Sequence, residues 1–252
     1  MSQASPLARA VASQSRAELL LAARRGENIL ITVVVPVLLL VFFASLGVVQ
    51  AGTSHPVTFL LPGMLALAVI ATAMVSLGIS TAYERYYGVL KRLGSSPLPR
   101  GGLITAKALS VVALEILQVA LLVAVAAIGY GWRLPQTHSA GAVGITALAL
   151  VLGTLAFAGL GLAMAGGLRA EATLAGANGL YLAFLLLSGA VLPLDHLPNV
   201  LQAIASVLPA AAMTNVLRAA LESGTFMAGD MLILAVWAVC LLAIAARTFR
   251  WE

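Results

Sequence analysis

Six long apolar runs follow one another along this chain, and their length restricts the fold more than any other feature. Counted by residue number, the predicted spans are 28–49, 59–81, 103–130, 141–166, 174–192 and 231–249. A helix rises about 1.5 Å per residue, so runs of about 20 residues cross the ~30 Å hydrocarbon core of a bilayer. The runs are continuous rather than alternating, which favours helices over a barrel. The sequence therefore predicts an all-α integral membrane protein with six transmembrane helices in a single domain, residues 1–252.

The composition excludes a water-soluble globule. Charged residues make up 9% of the chain and hydrophobic residues 62%, whereas about a quarter of an ordinary soluble domain is charged. The net charge of +5 is attributed to loops that face anionic lipid rather than to nucleic acid. We expect no cleaved signal peptide, because the first apolar run follows a basic segment. A single cysteine, Cys240, excludes an internal disulfide framework and a cysteine-based metal site.

The basic residues predict the orientation. If the N-terminus is cytoplasmic, twelve of the fourteen Lys and Arg residues lie on the inner side, and Arg133 and Arg218 lie outside. The excess of positive charge on cytoplasmic loops makes this the expected arrangement. Both termini are therefore predicted to be cytoplasmic. We separately expect the chain to lie in the cell (plasma or inner) membrane of a bacterium.

The segment Leu7–Arg25 is rich in Ala and Leu and carries four arginines. We interpret it as a helix lying along the inner membrane surface, and a disordered basic tail is the alternative. Its amphipathic pattern is imperfect, because Glu18 falls on the same side as Leu7 and Val11.

The longest polar interval is Tyr83–Lys107, between the second and third spans. Apolar residues at a period near 3.6 predict a short helix over Tyr83–Leu93, which Gly94 ends. The interval holds five basic residues: Arg85, Lys91, Arg92, Arg100 and Lys107. Such a helix suits contact with a soluble partner, and the alternative is a basic loop that only fixes the topology.

The second span carries a weakly polar stripe of Thr72, Ser76 and Ser80, spaced four residues apart. The stripe could line a transport pathway, but hydrogen bonding between helices is the more common use of such residues. In the fourth span, Gly159, Ala163 and Gly167 form a small-residue face that allows close helix contact.

Glu115 is the main ionisable residue within the predicted membrane interior, near the middle of the third span. A charge there costs about 2.5–3.5 kcal/mol on insertion scales. It is either a functional group on a pathway or a protonated or hydrogen-bonded acid that joins helices, with Gln118 or Asn178 as the expected partner.

The region Pro193–Asp230 is too interrupted by proline for one span and too apolar for a free loop. Short helices that dip into the outer leaflet or cap the bundle fit this pattern.

The sequence contains no nucleotide-binding Gly-x-x-x-x-Gly-Lys-Ser/Thr motif, no histidine pair at metal-ligand spacing, and no Ser/His/Asp set at one membrane depth. We therefore predict no catalytic residue, no metal site and no cofactor in this chain. Any energy for transport must therefore come from elsewhere.

Several motifs resemble one family over nearly the whole chain. They are Arg24–Arg25 before a span containing Pro36, Leu61–Gly63, the run Gly88–Arg100 (GVLKRLGSSPLPR), Gly189–Pro198, Leu208–Pro209 and Leu217–Arg218. Together they resemble the permease subunit of a type-2 ABC exporter of the daunorubicin-resistance kind.

The resemblance implies an exporter with two ATPase subunits, which bind ATP and Mg, and two permease subunits, identical or related. It implies that the segment after the second span is the coupling helix seated on the ATPase, with these residues: Glu84, Arg85, Tyr87, Leu90, Lys91, Arg92 and Leu93. It implies a substrate path along the second and fifth spans, to which we assign Thr72, Ser76, Asn178 and Tyr181, with Glu115 as a further candidate. It implies an outer gate, to which we assign Pro193, Asp195, His196, Pro198 and Pro209.

The expected substrate is hydrophobic or amphipathic, such as a drug, a lipid or a lipid-linked glycan, because the predicted walls are apolar. The alternative function is a secondary carrier or a membrane scaffold that needs no ATPase. A carrier would favour discontinuous helices with paired midplane charges, and in this sequence Glu115 alone qualifies.

Overall fold

The computed structural model describes residues 7–24, 30–46, 56–94, 99–134 and 139–248, and these residues form an all-helical bundle. The helices are α1 (Leu7–Arg24), α2 (Leu30–Val34 continuing as Val35–Leu46), α3 (Pro56–Tyr86), α4 (Val89–Gly94), α5 (Arg100–Tyr130), α6 (Ser139–Gly167), α7 (Ala170–Leu187), α8 (Asn199–Ala205), α9 (Pro209–Ser223) and α10 (Ala228–Thr248).

Within the described ranges, five helices are long and apolar enough to cross a membrane: α3, α5, α6, α7 and α10. They correspond to the second to sixth predicted spans. The first predicted span, 28–49, overlaps α2, whose described apolar part Thr32–Leu46 is shorter. Residues 25–29 and 47–55, at the two ends of that span, lie outside the described residues.

Helix α3 forms the centre of the bundle. Almost every side chain from Val57 to Met74 is buried, and α3 packs against α2, α5, α6 and α9. Pro62 lies inside this helix, and Ile70–Ser76 forms a π-helical segment. A proline is tolerated in a membrane helix when neighbouring groups satisfy the freed carbonyl.

Glycines allow α6 to approach two other helices closely. A Cβ added to Gly161 would lie 2.6 Å from the carbonyl oxygen of Met74 on α3. A Cβ on Gly159 would lie 2.8 Å from the backbone of Leu241 on α10. The predicted small-residue face is therefore a contact face at Gly159, while a Cβ on Gly167 would meet nothing within 4 Å.

The predicted single helix over Tyr83–Leu93 is wrong. Helix α3 continues to Tyr86, and α4 begins only at Val89. The break occurs because Gly88 has a φ of +70°, a left-handed conformation that glycine adopts without a steric cost. The predicted stop at Gly94 is confirmed.

The fifth predicted span is too long, because α7 ends at Leu187. The apolar character continues to Leu192, but Gly189 turns the chain with a φ of +68°. The region beyond forms the predicted short helices: a 3₁₀ turn at Leu194–His196, then α8 and α9, which meet at a bend of 80°. Helix α9 packs into the bundle against α3, α6 and α10.

The prediction that Leu7–Arg25 forms a helix holds for Leu7–Arg24. Helix α1 packs along α5, so it belongs to the folded bundle rather than to a disordered tail.

Candidate functional site

At the polar end of the bundle, one face of α4 packs against the core and the other face is exposed. Leu90 is buried and Leu93 is half-buried, and both pack against the core of the bundle. Tyr86 and Tyr87 are 64% and 68% exposed. We call the exposed side chains of this end the foot: Tyr86, Tyr87, Val89, Lys91 and Arg92. The foot is therefore a basic and aromatic surface formed by the end of α3, the turn at Tyr87 and the exposed face of α4, and the opposite face of α4 packs against the core.

Arg85 attaches the base of the foot to the end of α6. Its Nη1 donates a hydrogen bond to the carbonyl oxygen of Gly166 at 2.6 Å, and its Nη2 donates to the carbonyl oxygen of Leu168. The last carbonyls of a helix have no partner within the helix, and they attract positive charge. Arg85 therefore links α3 to the turn between α6 and α7.

A buried ion cluster lies beneath the foot. Lys107 Nζ lies 2.7 Å from Glu84 Oε2 and 3.2 Å from Glu18 Oε1, and the lysine side chain is only 2% exposed. These three residues join α5, α3 and α1. Glu84, assigned above to the ATPase contact, thus faces inwards in this structure.

The sequence reasoning missed the role of Lys107, which was counted only as one of the basic residues of the polar interval. A signal was present in Glu18, whose position on the apolar side of α1 broke the amphipathic pattern. The structure explains this exception, because that side of α1 faces Lys107.

The hydroxyl of Thr72 takes part in helix packing. It donates to Gln118 Oε1 at 2.9 Å, and Gln118 Nε2 donates to the carbonyl oxygen of Thr32 at 2.8 Å. These bonds connect α3, α5 and α2 within the buried core, and they favour the helix-packing interpretation of the stripe. Ser76 is half-buried and lines a small cavity of about 50 Å³.

Glu115 has a partner that the sequence did not indicate. Its Oε2 lies 2.5 Å from Thr154 Oγ1 on α6. The expected partners, Gln118 and Asn178, are both wrong. Gln118 bonds to Thr72 and Thr32 as described above, and the Asn178 amide donates to the carbonyl oxygen of Leu174 on its own helix.

One side of α7 is exposed along its length. The exposed residues recur at helical spacing and are Glu171, Leu174, Ala175, Asn178, Gly179, Leu182 and Leu186. Tyr181 is half-buried against the bundle core. The five predicted path residues therefore do not line a single cavity in one subunit. Thr72 and Ser76 lie inside the bundle, Glu115 lies between α5 and α6, and Asn178 lies on the outer face of α7.

Two of the sequence motifs meet at the opposite end of the bundle. A Cβ added to Gly63 on α3 would lie 2.5 Å from the Cα atom of Ala190. Arg218 donates to the carbonyl oxygen of Gly189 at 2.7 Å, and its guanidinium lies 4.0 Å from the ring centre of Phe59. The turn after α7 is therefore fastened to α3 and α9.

The five predicted gate residues follow this turn along the chain and differ in burial. Pro209 is buried in the first turn of α9 and Pro193 is half-buried, whereas Asp195, His196 and Pro198 are exposed. Within the described residues no group of three or more His, Cys, Asp or Glu side chains could hold a metal ion.

The family model described as ABC-2 type transporter matches residues 10–221, from α1 through α9. No curated protein matches the chain at a significant level. The match covers most of the chain, and the bundle supplies the membrane-spanning helices that such a domain requires. The chain therefore belongs to the ABC-2 type transporter family and is a multi-pass membrane transport subunit.

Proposed function

We propose that this chain is the permease subunit of an ATP-driven exporter of the daunorubicin-resistance-like kind, and that a separate ATPase docks on the foot. The observation that carries the proposal is the difference in burial between the two faces of α4. Its Leu90 side is buried in the bundle, while its Lys91 and Arg92 side is exposed. Such a surface suits a soluble partner with complementary charge. We expect two ATPase copies, which bind ATP and Mg, in the cell membrane of a bacterium.

The contacts around the foot support transmission of force. A push on α4 reaches α3 directly through the chain, and it reaches α6 through Arg85. It reaches α5 and α1 through the ion cluster of Lys107 with Glu84 and Glu18. Closure of the ATPase dimer would thus move four helices together rather than bend one loop.

The exposed side of α7 supports a second permease subunit. Asn178 places an amide on that side among apolar residues, and an amide in hydrocarbon is costly unless it finds partners or water. Its one hydrogen bond from the amide nitrogen goes to its own helix. We place the substrate path between two subunits along α7, for a hydrophobic or amphipathic substrate.

Charge reversal in the foot tests the ATPase contact. In the double variant Lys91→Glu/Arg92→Glu, export into inside-out vesicles should fall about tenfold or more, because like charges across an interface cost several kcal/mol. The folded bundle should persist, since both side chains are exposed. Export, ATP hydrolysis and co-purification of the ATPase are measured together.

The matched control is Arg9→Glu/Arg16→Glu, which makes the same charge change at exposed positions of α1. Normal export from the foot variant, or an equal loss in the control, would contradict docking at the foot.

Disulfide cross-linking tests the subunit contact along α7. In a Cys240→Ser background, Leu182→Cys should form a dimer on oxidation, because two cysteines can bridge when their Cα atoms lie about 4.4–6.8 Å apart. Val236→Cys on the exposed side of α10 is the control, since that side should face lipid. Dimer formation by Val236→Cys and not by Leu182→Cys would place the interface elsewhere.

A further inference from the structure

A groove lies between α5 and α6, and no part of the proposed export mechanism uses it. Its volume is about 510 Å³, and its walls include Val112, Ile116 and Val119 from α5 and Val151 from α6. Ile116 is 65% exposed and Val151 is 53% exposed. The groove therefore opens sideways from the subunit, on helices that cross the membrane, and a molecule dissolved in the bilayer could enter it directly.

The polar lining of the groove consists of Glu115 and Thr154, and all its other lining residues are apolar. Glu115 is only 6% exposed. Its Oε2 lies 2.5 Å from Thr154 Oγ1, and that hydroxyl also lies 2.8 Å from the carbonyl oxygen of Leu150. Thr154 therefore bridges the carboxyl group of Glu115 and the backbone of its own helix.

The second oxygen, Glu115 Oε1, has no hydrogen-bond partner among the described residues. Among those residues Glu115 also has no ion pair. A buried acid that lacks a partner costs free energy, and the apolar groove gives an ordered water few of the two to four partners that it requires. Glu115 Oε1 is therefore an unused hydrogen-bond acceptor inside an apolar groove.

We propose that the groove binds one lipophilic amine from the membrane, with its protonated nitrogen on Glu115 Oε1 and its apolar body between α5 and α6. A volume of about 510 Å³ lies within the usual range for sites that hold a drug-sized ligand. Charge complementarity selects the amine: an ammonium group supplies the missing donor and can pair with the carboxylate, whereas an anion supplies neither. A neutral alcohol supplies only the donor.

The proposal does not depend on the ATPase or on export, because it concerns equilibrium binding to the permease chain. The site also lies apart from the α7 path proposed above, so the two proposals can fail separately.

The test uses the full chain in nanodiscs of zwitterionic lipid, with a dodecyl dimethylamine probe that carries a diazirine on its alkyl chain. The matched probe is a dodecanol with the same diazirine. We expect saturable amine labelling of peptides from α5 and α6, mapped by mass spectrometry. In Glu115→Gln the Kd of the amine should rise about tenfold or more, since hydrogen bonds to charged groups contribute roughly 1.5–3 kcal/mol. The alcohol should bind more weakly and change little.

A second pair of variants tests binding in the groove independently, in case Glu115→Gln fails to fold. Ala120 lines the groove and is exposed, so Ala120→Phe should fill the groove and abolish saturable labelling. Ala113 is exposed on the same helix but does not line the groove, so Ala113→Phe should bind the amine normally. Labelling outside α5 and α6, equal affinity for amine and alcohol, or unchanged binding in both Glu115→Gln and Ala120→Phe would overturn the proposal.

Discussion

Replacing Lys107 with methionine should lower the free energy of unfolding by about 3–5 kcal/mol, the usual cost of removing one partner from a buried ion pair. The ammonium group lies between Glu84 and Glu18, at 2.7 and 3.2 Å from their oxygens. Methionine has a similar length but no charge, so two poorly exposed carboxylates would remain without their shared partner. Equilibrium unfolding of the purified chain in detergent provides the measurement.

Two controls separate this ion cluster from a general effect of losing a lysine. Lys91→Met removes an exposed lysine of the foot and should cost no more than about 1 kcal/mol, the usual upper value for an exposed ion pair. Adding Glu18→Gln and Glu84→Gln to Lys107→Met should recover part of the lost stability, because no uncompensated charge then remains. If Lys107→Met proves as harmless as Lys91→Met, the cluster does not hold α1, α3 and α5 together.

The ion cluster also shows that contacts between helices could not be predicted from the sequence alone. Hydropathy is a property of each local segment, so the apolar runs predicted the positions of α3, α5, α6, α7 and α10. Whether Lys107 faces water or a neighbouring helix depends on which helix packs beside it, and no local pattern contains that information. Glu18 interrupts the apolar side of α1, and its role could be interpreted only once Lys107 was known to be its partner.

The partner of Glu115 was missed for a related reason. Thr154 is one hydroxyl residue in a long apolar helix, and its local sequence does not differ from that of a threonine facing lipid. The prediction instead named Gln118, which lies one helical turn away on the same face of the third span, or Asn178 in the fifth span. The structure uses Gln118 to join α5 to α3 and α2, so it is not available to Glu115.

Two element boundaries were misjudged because periodicity and hydropathy continue across a turn. Apolar spacing ran through Gly88, and apolar character ran through Gly189, yet both glycines have positive φ angles and end or interrupt a helix. At Gly189 the following Pro193 was an additional sign of a turn. A glycine near the end of an apolar run is better evidence of a boundary than the point at which hydropathy falls.

Gly63 and Ala190 belong to two separate motifs that carried the family resemblance, and their contact predicts a second large effect. Gly63→Ala should destabilise the chain by about 1–3 kcal/mol, the usual cost of overpacking. The new Cβ would lie 2.5 Å from both the Cα and the carbonyl oxygen of Ala190, and backbone atoms cannot rotate away as a side chain can. The displaced turn would also strain the Arg218 bond to Gly189.

Gly144→Ala is the matched control, because Gly144 lies in α6 and a Cβ there would meet nothing within 4 Å. Alanine is a better helix former than glycine by up to about 1 kcal/mol, so this variant should be neutral or more stable. The two substitutions add the same methyl group to helical glycines, and only Gly63→Ala should lower the free energy of unfolding. A stabilised Gly63→Ala variant would mean that α3 and the turn after α7 are not in backbone contact, and the junction would then not fix this end of the bundle.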